Sequence, residues 1–167
     1  MIKTSGPASS FFADAASAAR AWPNLRQWWQ TFLLLALFAS FTLLVAKLDT
    51  AFNFSVTAQW GELLAIAALG FFVPALGEEM VFRVGLAGRS GLWRATLALA
   101  LFMLWHPAQV WLGLPMAQPA FLAPGFLIIA AALGLTCTLA WRMTGSVWPA
   151  VVIHWLTVVG WKALLGG

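Results

Sequence analysis

The sequence predicts an all-α fold: a polytopic transmembrane helix bundle of about five spans, preceded by an N-terminal interfacial helix. Three observations point there. Of the 167 residues, 62% are hydrophobic and only 8% charged, where a soluble domain carries about 25% charged residues. Several apolar runs are long enough to cross a hydrocarbon core of about 30 Å. Tryptophan collects at the ends of those runs, the headgroup level that indoles favour.

Taken in order, residues 1 to 8 are small and polar and read as a disordered tail. From Ser9 to Gln30, Phe11, Phe12, Ala15, Ala19, Trp22, Leu25 and Trp29 recur at helical spacing around Arg20 and Arg26, interrupted by Pro23. That pattern predicts one or two amphipathic helices lying in the membrane interface. Spans follow at roughly 31–47, 60–82, 92–112, 120–141 and 146–165. Gly88-Arg89-Ser90-Gly91 reads as a tight helix–helix turn, and Gly113, Pro115 and Pro119 mark a loop. Length fits one domain, with residues 1–30 as tail and interfacial segment and residues 31–167 as the bundle. No removable signal peptide is recognisable, so the first span is expected to serve as its own anchor.

Trp28 and Trp29 precede the first span, Trp60 opens the second, Trp93 and Trp111 bracket the third, Trp141 ends the fourth, and Trp148 and Trp161 flank the fifth. Only Trp105 and Trp155 fall mid-span, each beside a histidine. Lys3, Arg20, Arg26, Arg89, Arg94 and Arg142 fall on the N-terminal side of the membrane, and Lys47 and Lys162 on the other. The positive-inside rule then puts the N-terminus in the cytosol and the C-terminus outside. The net charge of +4 does not indicate nucleic acid, because the basic residues are scattered at span ends and form no patch. Cys137 is the sole cysteine, so neither a disulfide nor a cysteine metal cluster can form within the chain.

Charged side chains inside spans cost about 2.5 to 3.5 kcal/mol each at the helix centre and are functional candidates by default. Here they are Glu78, Glu79 and Arg83 in the second span, with His106 in the third and His154 in the fifth. At ~1.5 Å rise per residue, Glu78 lies ~18 Å from the Ser90 turn, His106 ~24 Å from it, and His154 ~14 Å from Gly145. Tilt, and kinks at Pro74 and Pro107, can bring the three to one level. Adjacent antiparallel spans two and three are expected to bring Glu78 near His106. Glu79 and Arg83 share a helix face and can pair, while Glu78 points about 100° away. One carboxylate is thus tied to Arg83, and one is free to face the histidines. The competing readings are a snorkelling Arg83 and satisfied core histidines. Nothing in a membrane span requires five such groups, which favours a functional site over a structural polar network.

These three segments resemble the CPBP family, the CAAX prenyl endopeptidase and bacteriocin-processing (Abi) intramembrane proteases. The first family motif, Glu-Glu-x-x-x-Arg, is matched by Glu78, Glu79 and Arg83; the second, Phe-x-x-x-His, by Phe102 and His106. The third is a histidine followed four residues later by asparagine or a hydrophobic residue, matched by His154 and Val158. Gly145-Ser146-Val147-Trp148-Pro149-Ala150 also looks like this family, and the resemblance covers about residues 60–165.

The resemblance implies an intramembrane endopeptidase in a prokaryotic cytoplasmic (inner) membrane, acting on a membrane-tethered protein or peptide. CAAX tails, bacteriocin leaders and C-terminal sorting tags are all family substrates. By analogy Glu78 and His106 activate water, Glu79 and Arg83 position the site with Phe102 in support, and His154 polarises the scissile carbonyl. A carboxylate held away from bulk water suits a general base, and a histidine donor aimed at the developing oxyanion stabilises charge where it appears. The sequence departs from the family in two places. Val84 stands where glycine often follows the arginine. Val158 offers no amide, which leaves Thr157, three residues past His154, as the neighbouring donor.

Other chemistries fit less well. Glu78, His106 and His154 would serve as three zinc ligands with water as the fourth, but the His-Glu-x-x-His pair of helical zinc sites is missing, so no cofactor is favoured. A serine protease would need Ser90, which sits in the interfacial turn ~24 Å along the helix from His106. Asp14 and Asp49 are the only aspartates and neither is mid-span, which excludes an aspartyl site. A non-catalytic immunity or peptide-binding membrane protein is the main alternative outside enzymes. A proton-coupled transporter is less apt, since five spans with no paired repeat are few for alternating access.

Overall fold

In the computed structural model, which describes residues 11–49, 52 and 54–164, the chain is a bundle of helices, with no strand among those residues. Helix α1 runs Phe11–Arg20 and α2 Leu25–Leu48. Helix α3 spans Trp60–Ala87, and α4 runs Leu92–Trp111, α5 Pro124–Thr144 and α6 Trp148–Leu164. A single 3₁₀ turn, Pro119–Leu122, leads into α5. By length and composition α2, α3 and α5 are apolar enough to cross a membrane. With α4 and α6 they make the five-helix bundle of an integral membrane protein. The expectations for residues 1–10, and for the fifth span beyond Leu164, lie outside the described residues.

The amphipathic segment expected over Ser9–Gln30 divides between two helices: Phe11–Arg20 form α1, and residues 25–30 open α2. The cause is a capping box. Asn24 Oδ1 accepts from the Gln27 amide and Gln27 Oε1 accepts from the Asn24 amide, both at 2.9 Å. Two otherwise orphaned N–H groups are thereby satisfied, which starts the helix directly after Pro23.

Helix α3 is regular over Trp60–Gly70 and then widens into π-type turns over Phe71–Glu78 and Met80–Ala87. Pro74 sits inside the first wide stretch, where it has no N–H to donate and its ring crowds the carbonyl one turn back. Widening relieves that clash, and π turns of this kind recur at functional sites. The regular half of α3 packs on α6, whereas Met80–Ala87 packs on α4. Helices α4 and α5 close tightly at Gly134, where a Cβ would stand 2.6 Å from Leu99 Cδ1 and 3.0 Å from Phe102 Cδ1. Only glycine leaves room for Phe102 there.

One end of the bundle gathers the arginines. Arg94 donates to the carbonyls of Leu86 and Gly85, each at 2.9 Å. Arg142 donates to those of Gly88, Ala87 and Gly91 at 3.3, 3.2 and 2.7 Å. These cations satisfy the last carbonyls of α3, where the helix dipole favours positive charge. Helix α1 lies over the same end. Ala18 is buried there, its carbonyl accepts from the Val147 amide at 3.3 Å, and the Ala19 carbonyl accepts from the Trp148 indole at 2.8 Å. Lys47 and Lys162 lie in the last turns of α2 and α6, at the opposite end.

Candidate active site

Where α3 widens, Glu78, Glu79 and Arg83 face the bundle interior. Glu79 Oε2 stands 3.0 Å from Arg83 Nε, and both side chains are fully buried. The approach is ionic rather than an aligned hydrogen bond, since none of the guanidinium nitrogens makes one. The other Glu79 oxygen is 2.8 Å from Nδ1 of His154 on α6. A carboxylate oxygen accepts, so Nδ1 serves as the donor in this bond and Nε2 points away from Glu79. His154 Nε2 then looks toward Glu78 Oε2, 3.9 Å away.

Glu78 is held from the other side. The Trp105 indole donates to Glu78 Oε1 at 2.9 Å, which leaves Oε2 with no hydrogen-bond partner in the protein. His106, the next residue along α4, turns to a different environment. Its Nδ1 is 2.9 Å from the Phe102 carbonyl of its own helix. Its ring is packed edge-on by Phe102, Phe121 and Phe126, with centroids 4.9, 5.5 and 5.3 Å away. No nitrogen of His106 comes within ion-pair distance of Glu78; the histidine that does is His154.

Phe102 is the hub of the cluster and has no exposed surface. The Arg83 guanidinium lies 4.4 Å from its ring centroid, a cation–π contact strengthened by exclusion of water. His106 and His154 both pack edge-on against the same ring, at 4.9 and 5.9 Å. Cys137 of α5 is buried and its Sγ donates to the Ala150 carbonyl at 3.5 Å.

Of the residues singled out in the sequence, Glu78, Glu79, Arg83, Phe102 and His154 therefore form one contiguous cluster, joined to His106 through Phe102. Two of them face elsewhere. The Thr157 hydroxyl donates to the Ile153 carbonyl of its own helix at 2.7 Å. Val158 lies against the α3 backbone, its Cγ1 3.3 Å from where a Cβ on Gly70 would be. Trp105 joins the cluster without belonging to any motif. Its signal in the sequence was its depth, since tryptophan favours the interface and this one is mid-span. Among the described residues no three His, Cys, Asp or Glu side chains gather closely enough to hold a metal ion. His106 is packed among Phe102, Phe121 and Phe126, apart from Glu78 and His154.

The observations define the class: an all-helical membrane bundle with carboxylates, an arginine and histidines clustered in its interior. A profile of type II CAAX prenyl endopeptidase Rce1-like proteins matches residues 59–160. That stretch holds Glu78, Glu79, Arg83, Phe102, His106 and His154 and is more than half of the chain, so the chain belongs to the Rce1-like family of CAAX-type proteases. No individual curated protein and no solved structure matches it.

Proposed function

We propose that the protein is an intramembrane endopeptidase that hydrolyses a peptide bond of a membrane-associated protein with water activated by Glu78. The observation that carries this reading is the approach of Glu78 Oε2, which has no hydrogen-bond partner in the protein, to His154 Nε2, 3.9 Å away. That gap is too long for a direct hydrogen bond and suits one bridging water held by both groups. Glu78 takes the water proton as the nucleophile forms and delivers it to the leaving amine. His154 holds the second water hydrogen, and Glu79 fixes its ring and tautomer. Arg83 pairs with Glu79, and Phe102 seats Arg83 and both histidines.

This assignment exchanges partners relative to the family analogy, which paired Glu78 with His106. The observed neighbours favour His154 beside the water. The reaction needs no metal in this scheme, and the arginine-rich end of the bundle faces the cytosol of a prokaryotic inner membrane.

The test is cleavage of an internally quenched prenylated CAAX peptide by the purified full chain in lipid vesicles. Wild type is expected to cleave it, and Glu78→Gln to lose turnover with its fold kept. Equal turnover by the two proteins would remove Glu78 from the mechanism. Binding of the peptide without cleavage by wild type would favour a peptide-binding membrane protein.

A further inference from the structure

We infer that Trp105 is a positioning residue of the active site, whose indole N–H fixes the Glu78 carboxylate and selects Oε2 as the oxygen that meets water. The inference rests on the proposed role of Glu78. It starts from one bond, Trp105 Nε1 to Glu78 Oε1 at 2.9 Å. A carboxylate has two equivalent oxygens and a terminal torsion that is broad and roughly two-fold. One directional donor on Oε1 removes that freedom and leaves Oε2 facing His154 Nε2. A hydrogen bond to a charged acceptor is roughly twice as strong as one between neutral groups, so the constraint is stiff.

The competing explanation is that a buried indole merely needs an acceptor. Other tryptophans in this fold argue against it. The indole nitrogens of Trp141 and Trp161 are buried with no partner at all. Those of Trp148 and Trp155 donate to backbone carbonyls, Ala19 and Ala67. Among the described residues Trp105 is the one tryptophan whose indole meets a carboxylate, and that carboxylate is the candidate base. The geometry is economical: α4 delivers Trp105 to Glu78 and His106 to the Phe102 cage from consecutive positions.

The decisive substitution replaces Trp105 by benzothienylalanine, which keeps the bicyclic shape and removes the N–H. Misplacing a reacting group by about 1 Å can cost about 100-fold in rate. With the quenched prenylated peptide, kcat is expected to fall by about that factor while KM moves less than about threefold. Trp105→Phe should fall at least as far. Unchanged kcat in the benzothienyl protein, alongside a dead Glu78→Gln, would overturn the positioning role and leave the role of Glu78 standing. A second measurement does not depend on turnover. In protein labelled with ¹⁵N at its eleven indoles, the resonance lost in Trp105→Phe identifies Trp105. Glu78→Gln is expected to move that resonance upfield, as the charged acceptor becomes neutral. No movement would mean that the indole does not bond to Glu78, whatever the protein cleaves.

Discussion

Replacing Glu79 by glutamine removes one charge from a place where the chain has no spare compensation. Glu79 and Arg83 are fully buried 3.0 Å apart, and Arg83 has no aligned hydrogen bond to fall back on. Its remaining close neighbour is the Phe102 ring at 4.4 Å. Breaking a buried pair by removing one partner costs about 3 to 5 kcal/mol, because the other charge is left uncompensated. For a chain of this size each kcal/mol moves Tm by roughly 2 to 4 °C, so Glu79→Gln should lower Tm by roughly 6 to 20 °C. The protein supplies its own reporter. Cys137 is the only cysteine and is buried, so a thiol-reactive fluorophore reads unfolding directly. The double variant Glu79→Leu with Arg83→Met is the control. Removing both charges together can be nearly neutral, so it should recover much of the lost Tm while remaining inactive. Turnover should fall in Glu79→Gln as well, since His154 loses its charged acceptor. A Tm within about 2 °C of wild type for Glu79→Gln, or a double variant less stable than the single one, would refute the argument that Arg83 depends on Glu79.

Three further outcomes are expected. His154→Phe keeps ring volume against Phe102 but cannot hold water, so turnover should drop at least about 100-fold; near-normal activity would take His154 out of the mechanism. Exhaustive chelation should leave turnover intact, and loss that recovers with stoichiometric zinc would require His106 to leave its cage and join Glu78 and His154. With a membrane-impermeant maleimide on intact cells, Met116→Cys should label and Ser90→Cys should not until the cells are opened; the reverse pattern would invert the orientation.

Much of this protein was legible in its sequence. Apolar length and tryptophan placement located all five long helices, because bilayer thickness dictates span length, although α2 starts six residues earlier and α3 ends five residues later than read. The i, i+4 spacing of Glu79 and Arg83 gave their pairing, because helical period alone decides which residues share a face. The start of α2 was readable too, in Asn24 and Gln27, but hydropathy hid it. The adjacency of spans two and three pointed to His106 as the neighbour of Glu78, whereas in the fold that neighbour is His154. Helical period fixes directions around one helix, whereas the rotation of one helix against its neighbour is set by packing. Here the first half of α3 leans on α6 and only its last turns lean on α4, so Glu78 meets His154 of α6 rather than His106 of α4. The wide turns around Pro74 alter the direction of the glutamates, and Gly134 lets Phe102 sit between the helices. Trp105 shows both sides of the division. Its mid-span position marked it in the sequence, yet only the fold could say that its indole reaches the carboxylate of Glu78, because that contact joins residues brought together by helix packing rather than by spacing.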